Sequence, residues 1–299
     1  MDRRGFFTVA LTGGLAVGTA GAAEKGAEPD GAAGVGCLVD TTLCIGCRQC
    51  EEACNRRNGL PRPARSFRDP TVFDQQRRPT TEAFTVVNEH PVAPSPSQPE
   101  KAHTYVKVQC MHCLDPSCVS ACIVGALSRT PDGAVVYDPD ICIGCRYCLI
   151  ACPFQVPAYE YHEAVTPRVR KCEFCADPAR ERGADPACAA ACPTEAIVFG
   201  PRQELLAFAR QRIESKPRRY IDRIYGEHEV GGTSWLYLCG QDPAALGLID
   251  LPEQAPPRLT EAIQHGIFRY AAVPLAVYGA LGAAMWYHKR RERSEGAET

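Results

Sequence analysis

The sequence predicts a small α+β fold built from a repeated cysteine loop, with an insertion in its first half and an apolar helix near its C-terminus. Three observations carry this expectation. Cysteines fall into four groups, Cys44 to Cys54, Cys110 to Cys122, Cys142 to Cys152 and Cys172 to Cys192. Short strand-like runs bounded by turn residues stand beside two of them, Ala134-Val135-Val136-Tyr137 before the third and Ala196-Ile197-Val198-Phe199 after the fourth. Beyond these, Leu205, Leu206, Phe208, Ala209 and Ile213 recur at helical spacing, with Pro201 at the start and Pro217 past the end.

Composition narrows the chemistry. The formal net charge is −2 and no long basic run occurs, which argues against nucleic acid as a partner. Eighteen cysteines in 299 residues is far above ordinary usage and points to a disulfide scaffold or to bound metal.

Taken in order, residues 1–23 read as a twin-arginine export signal: Arg3-Arg4-Gly5-Phe6-Phe7, a mildly apolar stretch, and Ala20-Gly21-Ala22 as a cleavage site. Residues 24–36 read as a linker and 37–200 as the cysteine domain. Within that domain 55–109 is an insertion, with strand-like runs at Phe84 to Val87 and Thr104 to Val108. Residues 201–262 form a C-terminal extension in which Trp235-Leu236-Tyr237-Leu238 is a candidate strand. Ile267 to Tyr287 carries a single charge, Arg269, and is predicted to span a membrane. The basic residues after it predict a cytoplasmic tail at 288–299, so the body is expected at the periplasmic face of a bacterial inner membrane, held by a single-pass anchor.

The spacing within the groups decides between metal and disulfides. Cys44, Cys47, Cys50 and Cys54, and likewise Cys142, Cys145, Cys148 and Cys152, follow the C-x2-C-x2-C-x3-C run of bacterial ferredoxins. Three thiolates on one tight loop can grip three irons of a cube. The fourth, on the following helical turn, points away toward a second cube. Cys110, Cys113, Cys118 and Cys122, and Cys172, Cys175, Cys188 and Cys192, repeat the device with the third cysteine displaced by an insertion. A disulfide frame suits such repeated close pairs poorly. A zinc site could be made from the fourth group alone but does not explain the threefold runs. Four [4Fe–4S] clusters are therefore predicted, and a zinc-loaded structural binding module is the alternative of another class.

The segments Gln109 to Cys118, Gly144 to Phe154 and Lys171 to Cys175 resemble the four-cluster ferredoxin subunits of membrane-bound oxidoreductases. Ala196 to Ile213, Tyr225-Gly226-Glu227 and Gly231-Gly232 are most similar to the iron–sulfur subunit of the hydrogenase-2 type of [NiFe] hydrogenase. The fold implied is α+β, two ferredoxin-like dicluster halves with an insertion, followed by a C-terminal transmembrane helix. The resemblance implies crossed ligation, in which one cluster takes Cys44, Cys47, Cys50 and Cys192 and its mate takes Cys172, Cys175, Cys188 and Cys54. A third takes Cys110, Cys113, Cys118 and Cys152, and the last takes Cys142, Cys145, Cys148 and Cys122. It also implies a non-catalytic role between the small and large subunits of a periplasmic [NiFe] hydrogenase and a multi-spanning, quinone-interacting membrane subunit. A molybdenum enzyme of the formate dehydrogenase or polysulfide reductase type is the alternative partner. No nucleophile constellation, Walker loop or metal–histidine motif argues for catalysis.

Several residues fall outside these sets. Cys37 and Cys239 are expected to be buried or idle thiols. His112, between two ligands, is expected to hydrogen-bond or face solvent rather than bind iron. Lys107, Lys171, Arg146 and Arg170 lie near the cysteine loops. A positive charge about 7 Å from a cluster, at an effective dielectric near 20, is worth roughly 2 kcal/mol, or roughly 100 mV for one electron.

Overall fold

Residues 34–91, 103–176, 184–258 and 272–295 are described by the structure, a computed structural model. The predicted export signal and the linker up to residue 33 lie outside them. Alternation of side chains builds the central sheet from the first described residues onward. Strand β1 (Val35–Asp40) starts inside the predicted linker and is flanked by two strands far away in sequence. On one side it pairs antiparallel with β8 (Ile197–Pro201), Cys37 facing Phe199. On the other it pairs parallel with β10 (Trp235–Leu238), Cys37 facing Trp235, and β9 (Ile224–Tyr225) closes the order β8-β1-β10-β9.

The two faces of this sheet have different jobs. Leu38, Leu236 and Leu238 point one way and bury Leu205, Leu206, Ala209 and Ile213 of helix α5 (Arg202–Ser215). Because side chains alternate along a strand, Cys37, Val39, Trp235 and Tyr237 point the other way, into the core that holds the outer cysteine loops. Asp40, at the end of β1, ties the layers together: its carboxylate accepts from Tyr220 Oη at 2.8 Å and from Arg212 Nη1 of α5 at 2.7 Å.

The remaining elements are short. In the insertion, β2 (Val86–Pro91) and β3 (His103–Val108) form an antiparallel hairpin, Val86 opposite Val108. Strand β2 begins two residues later than the predicted run, since Thr85 is bound through its hydroxyl to Val108 O at 3.2 Å rather than through the ladder. Small two-stranded sheets, β4 (Leu127–Arg129) with β5 (Val135–Tyr137) and β6 (Ala158–Tyr159) with β7 (Val169–Arg170), frame the middle of the chain. Helical turns then pair across the repeat. Helix α1 (Gln49–Arg57) packs on α4 (Ala187–Ala190), and α2 (Ser117–Ser120) packs on α3 (Tyr147–Ala151).

One predicted element is overturned. Among the described residues no helix is long and apolar enough to cross a membrane. Residues 267–271 of the predicted span lie outside those described; the rest belongs to helix α6 (Ala272–Glu295), which runs on through the basic residues assigned to a cytoplasmic tail. From Ala272 to Tyr287 the helix offers sixteen apolar or weakly polar residues, five of them Ala and two Gly. Neither the C-terminal transmembrane helix nor the single-pass anchor at the periplasmic face is supported, because the Pro, Gly and Tyr residues and the basic run into which the helix continues leave it too little apolar length.

Candidate metal centre

The same turn recurs in all four cysteine groups. In each, the residue just before the second cysteine has a positive φ: Gly46 at 70°, His112 at 48°, Gly144 at 70° and Phe174 at 60°. This left-handed step folds the chain back so that both thiols face inward. The two glycines are needed for contact as well as for φ. A Cβ on Gly46 would stand 2.5 Å from the Tyr105 ring, and one on Gly144 would stand 2.8 Å from Tyr159 Oη. Arg48 and Arg146, after the second cysteine of the first and third groups, repeat the left-handed conformation and start α1 and α3.

Folding brings distant cysteines together. Cys54, Cys172, Cys175 and Cys188 line one cavity. Cys44, Cys47, Cys50 and Cys192 line another. In the middle of the chain, burial pushes the Cys113 thiol well up, helped by neighbouring Cys110, Cys152 and Cys118. Burial, then Cys122, Cys142 and Cys145, pushes Cys148 up to about 11. Cys172 stands close to both Cys54 and Cys110, so the outer and inner sets adjoin. No disulfide joins the described cysteines.

The donor chemistry fits iron–sulfur clusters. Burial raises Cys50 and Cys172 far above the ordinary thiol, and pushes Cys54 and Cys118 up to about 12, so these sulfurs would stay protonated without a cation to hold them as thiolates. N–H groups also point at sulfur: Ala126 N to Cys122 Sγ at 3.1 Å, Phe174 N to Cys172 Sγ at 3.4 Å, and Asn58 Nδ2 to Cys54 Sγ at 3.5 Å. Zinc fits less well. A tetrahedral ion 2.3 Å from each thiolate needs sulfurs only about 3.8 Å apart. Among the described residues no three His, Cys, Asp or Glu donors gather in that way.

Of the residues outside the sets, His112 is fully buried and accepts at Nδ1 from Val135 N at 2.9 Å, which places its proton on Nε2. Burial, then Lys171, Lys107 and Arg129, holds its pKa well below the ordinary value, so the ring is neutral. It packs on Phe174, centroids 4.9 Å apart, where the second and fourth loops meet. Lys107 and Lys171 are buried, whereas Arg146 is exposed and Arg170 pairs with Glu160 at 2.7 Å. Sequence reasoning missed the place of Cys37. It shares the inner face of β1 with Val39 and lies beside Cys188, Cys172 and Cys175, and the alternation of β1 was the signal that could have found it. Cys239 is buried at the end of β10.

Beneath the first loop lies a buried ion network that no motif announces. Glu51 accepts from Arg48 Nη2 at 2.9 Å, Arg77 Nη2 at 2.6 Å and Val87 N at 2.7 Å, joining α1 to the hairpin of the insertion.

Comparison with known proteins agrees with this chemistry. Residues 101–202 match the family model described as a 4Fe-4S dicluster domain. The hydrogenase-2 operon protein HybA of Escherichia coli O157:H7 is 33% identical, with 100% of this chain and 99% of that protein covered. The formate dehydrogenase-O iron-sulfur subunit of Escherichia coli K12 is 33% identical over 84% of this chain and 81% of its own length. A protein of Nitratidesulfovibrio vulgaris Hildenborough is 46% identical over 83% of this chain and 67% of its own. With cysteine sets grouped around shared cavities and full-length similarity to HybA, the chain belongs to the family of [4Fe–4S] electron-transfer subunits of hydrogenase-2 and formate dehydrogenase type.

Proposed function

We propose that this chain holds four [4Fe–4S] clusters and passes single electrons between a [NiFe] hydrogenase and a quinone-reducing membrane subunit. The observation that carries this reading is the pair of adjoining cavities, each lined by three cysteines of one group and one from another. Cys44, Cys47, Cys50 and Cys192 would hold one cluster and Cys54, Cys172, Cys175 and Cys188 its mate. Cys110, Cys113, Cys118 and Cys152 would hold the third, and Cys122, Cys142, Cys145 and Cys148 the fourth. Bound there, each cluster supplies one-electron redox chemistry over a wide range of potential. The chain's own part is to hold the thiolates, direct N–H groups at sulfur and keep water out of the cages.

Partner docking has its own support. Ile141, Ile143, Tyr147 and Ile150 are 48%, 61%, 55% and 84% exposed around the third cysteine group, with Ile123 at 69% beside them. Apolar side chains gathered on one surface mark an interaction site. At the first group, Ile45 is 59% exposed next to the exposed Cys47. Each patch sits against a cysteine cage, where a partner's redox group must come close.

HybA matches over nearly its whole length, which favours a hydrogenase partner over the molybdenum enzyme implied by the formate dehydrogenase subunits. The test is to tag this chain, isolate the complex under anaerobic conditions, and identify the catalytic subunit. Co-isolation of a hydrogenase, with about sixteen irons in this chain once it is separated anaerobically from its partners, supports the proposal. A molybdenum enzyme in its place, or about eight irons, rejects that part of it.

A further inference from the structure

Lys107 is the one charged side chain that borders both outer cavities. It appears in the wall formed with Cys54, Cys172, Cys175 and Cys188, and again in the wall formed with Cys44, Cys47, Cys50 and Cys192. It is 2% exposed, and burying an ammonium is costly unless the site is built to hold one.

The site is so built. Lys107 Nζ donates to Gln109 Oε1 at 2.9 Å and lies 4.0 Å above the centre of the Trp235 ring, a cation–π contact in a dry setting. The orientation of Gln109 follows from its other partner. Tyr237 Oη donates its proton to Lys107 O at 2.7 Å, so it must accept from Gln109 Nε2 at 2.8 Å. That fixes the amide oxygen toward the ammonium. Lysine, glutamine and tyrosine thus close a ring whose strand partners, β3 and β10, are both in the core. Among the described residues Gln109 is the only hydrogen-bond acceptor of Nζ.

We infer that Lys107 is a positioning residue shared by the two outer cages, its fixed positive charge raising the reduction potentials of both clusters held there while leaving the inner two nearly unchanged. This deepens the proposed function and rests on its assignment of cysteines to cages. Each one-electron reduction adds one negative charge to a cage, delivered by the redox partner; no bond or proton changes hands at Lys107. A cation against both cages favours the added electron in either, and the low effective dielectric of a buried site strengthens the effect.

The test is a redox titration of the purified complex, following each cluster's magnetic signal in wild type, Lys107→Met, Lys107→Arg and Gln109→Glu. In Lys107→Met, two of the four midpoints should fall, each by at least tenfold in the reduction equilibrium constant, or about 59 mV for a one-electron couple. Lys107→Arg should restore both toward wild type. Gln109→Glu, which sets a carboxylate against the ammonium, should lower the same two and decides the matter if Lys107→Met fails to load. Two signals moving together supports the inference. A shift in one signal only, in none, or equally in all four overturns it. Iron analysis separates this from the reading beneath it: wild type with fewer than four clusters defeats the assignment, whereas fully loaded variants with unmoved potentials defeat Lys107 alone.

Discussion

Glu51 allows the stability of the first cysteine loop to be worked through from its contacts. In Glu51→Ala, three hydrogen bonds to guanidinium groups are lost, two from Arg77 and one from Arg48, together with the one from Val87 N. Arg48 is 4% exposed, so its charge stays buried, supported by Ser66 O at 3.0 Å and by the Phe67 ring at 5.5 Å. Arg77 is 22% exposed and reaches water more easily. Breaking a buried pair by removing one partner costs about 3–5 kcal/mol; with one arginine partly solvated the lower end applies, about 3 kcal/mol. Because cluster loss is irreversible, the cost is read as a rate. If the network is absent from the transition state for opening, about 3 kcal/mol is on the order of a hundredfold faster loss. The assay is bleaching of the visible iron–sulfur absorbance at a fixed temperature with an iron chelator present. Magnetic spectra taken during the decay should show the clusters of the outer cages lost first, since Cys50 and Cys54 flank Glu51 on α1. Glu51→Gln, which keeps shape but not charge, should fall between. Bleaching of Glu51→Ala at the wild-type rate, or uniform loss of all clusters, would refute the reasoning.

Three further outcomes are expected. Cys54→Ser and Cys188→Ser should perturb the same magnetic signal, and Cys192→Ser the one altered by Cys47→Ser; a match between Cys54→Ser and Cys47→Ser would instead mean ligation within each group. Ile150→Glu, a change on an exposed residue, should leave iron content intact and weaken co-isolation of the partner at least tenfold, measured as the ratio of partner to chain after purification. Burial holds His90 below its ordinary pKa. The unfolded chain therefore takes up the proton first as pH falls, and stability should be complete above about pH 6.5 and decline below it. A non-titrating His90→Asn should lose that part of the acid dependence, seen as a flatter plot of bleaching rate against pH.

The cysteine spacing made the metal chemistry legible because ligand loops are local: three thiols within seven residues leave few other readings. Strand β10 was legible at Trp235 to Leu238, where an apolar run stands alone. Its parallel pairing with β1 was not, since nothing in either run names a partner about 200 residues away. The glycines before Cys47 and Cys145 announce a left-handed turn, yet His112 and Phe174 adopt it before Cys113 and Cys175 with no such signal. There the two rings pack on each other, centroids 4.9 Å apart, a contact between loops that no local pattern announces. Glu51, Arg48 and Arg77 look like surface charges in sequence, and only the hairpin laid over them makes them buried. The C-terminal helix was misjudged for the opposite reason, a local scarcity of charge between Ile267 and Tyr287 standing in for apolar length.

The nesting of the sheet around the middle of the chain sets an order of assembly. Residues 103–176 contain the inner cysteines together with both small hairpins, β4 with β5 and β6 with β7. That segment cannot close by itself, because its second cysteine loop is bonded to the lead into β10, Leu114 N to Gly232 O at 2.9 Å and Ser234 N to His112 O at 3.0 Å. Strand β1 emerges earlier but must wait for β8 and β10. At about 5–20 residues per second, the roughly 200 residues from β1 to β10 take about 10–40 s to appear. During that interval the first cysteine loop is exposed, with its neighbouring strand unpaired, and the second loop lacks its partners at Gly232, Ser234 and Trp235. Both the first and the second cysteine loop therefore reach their final setting only after translation has passed residue 238. A protein that holds the N-terminal segment open until then would serve this chain as an assembly factor.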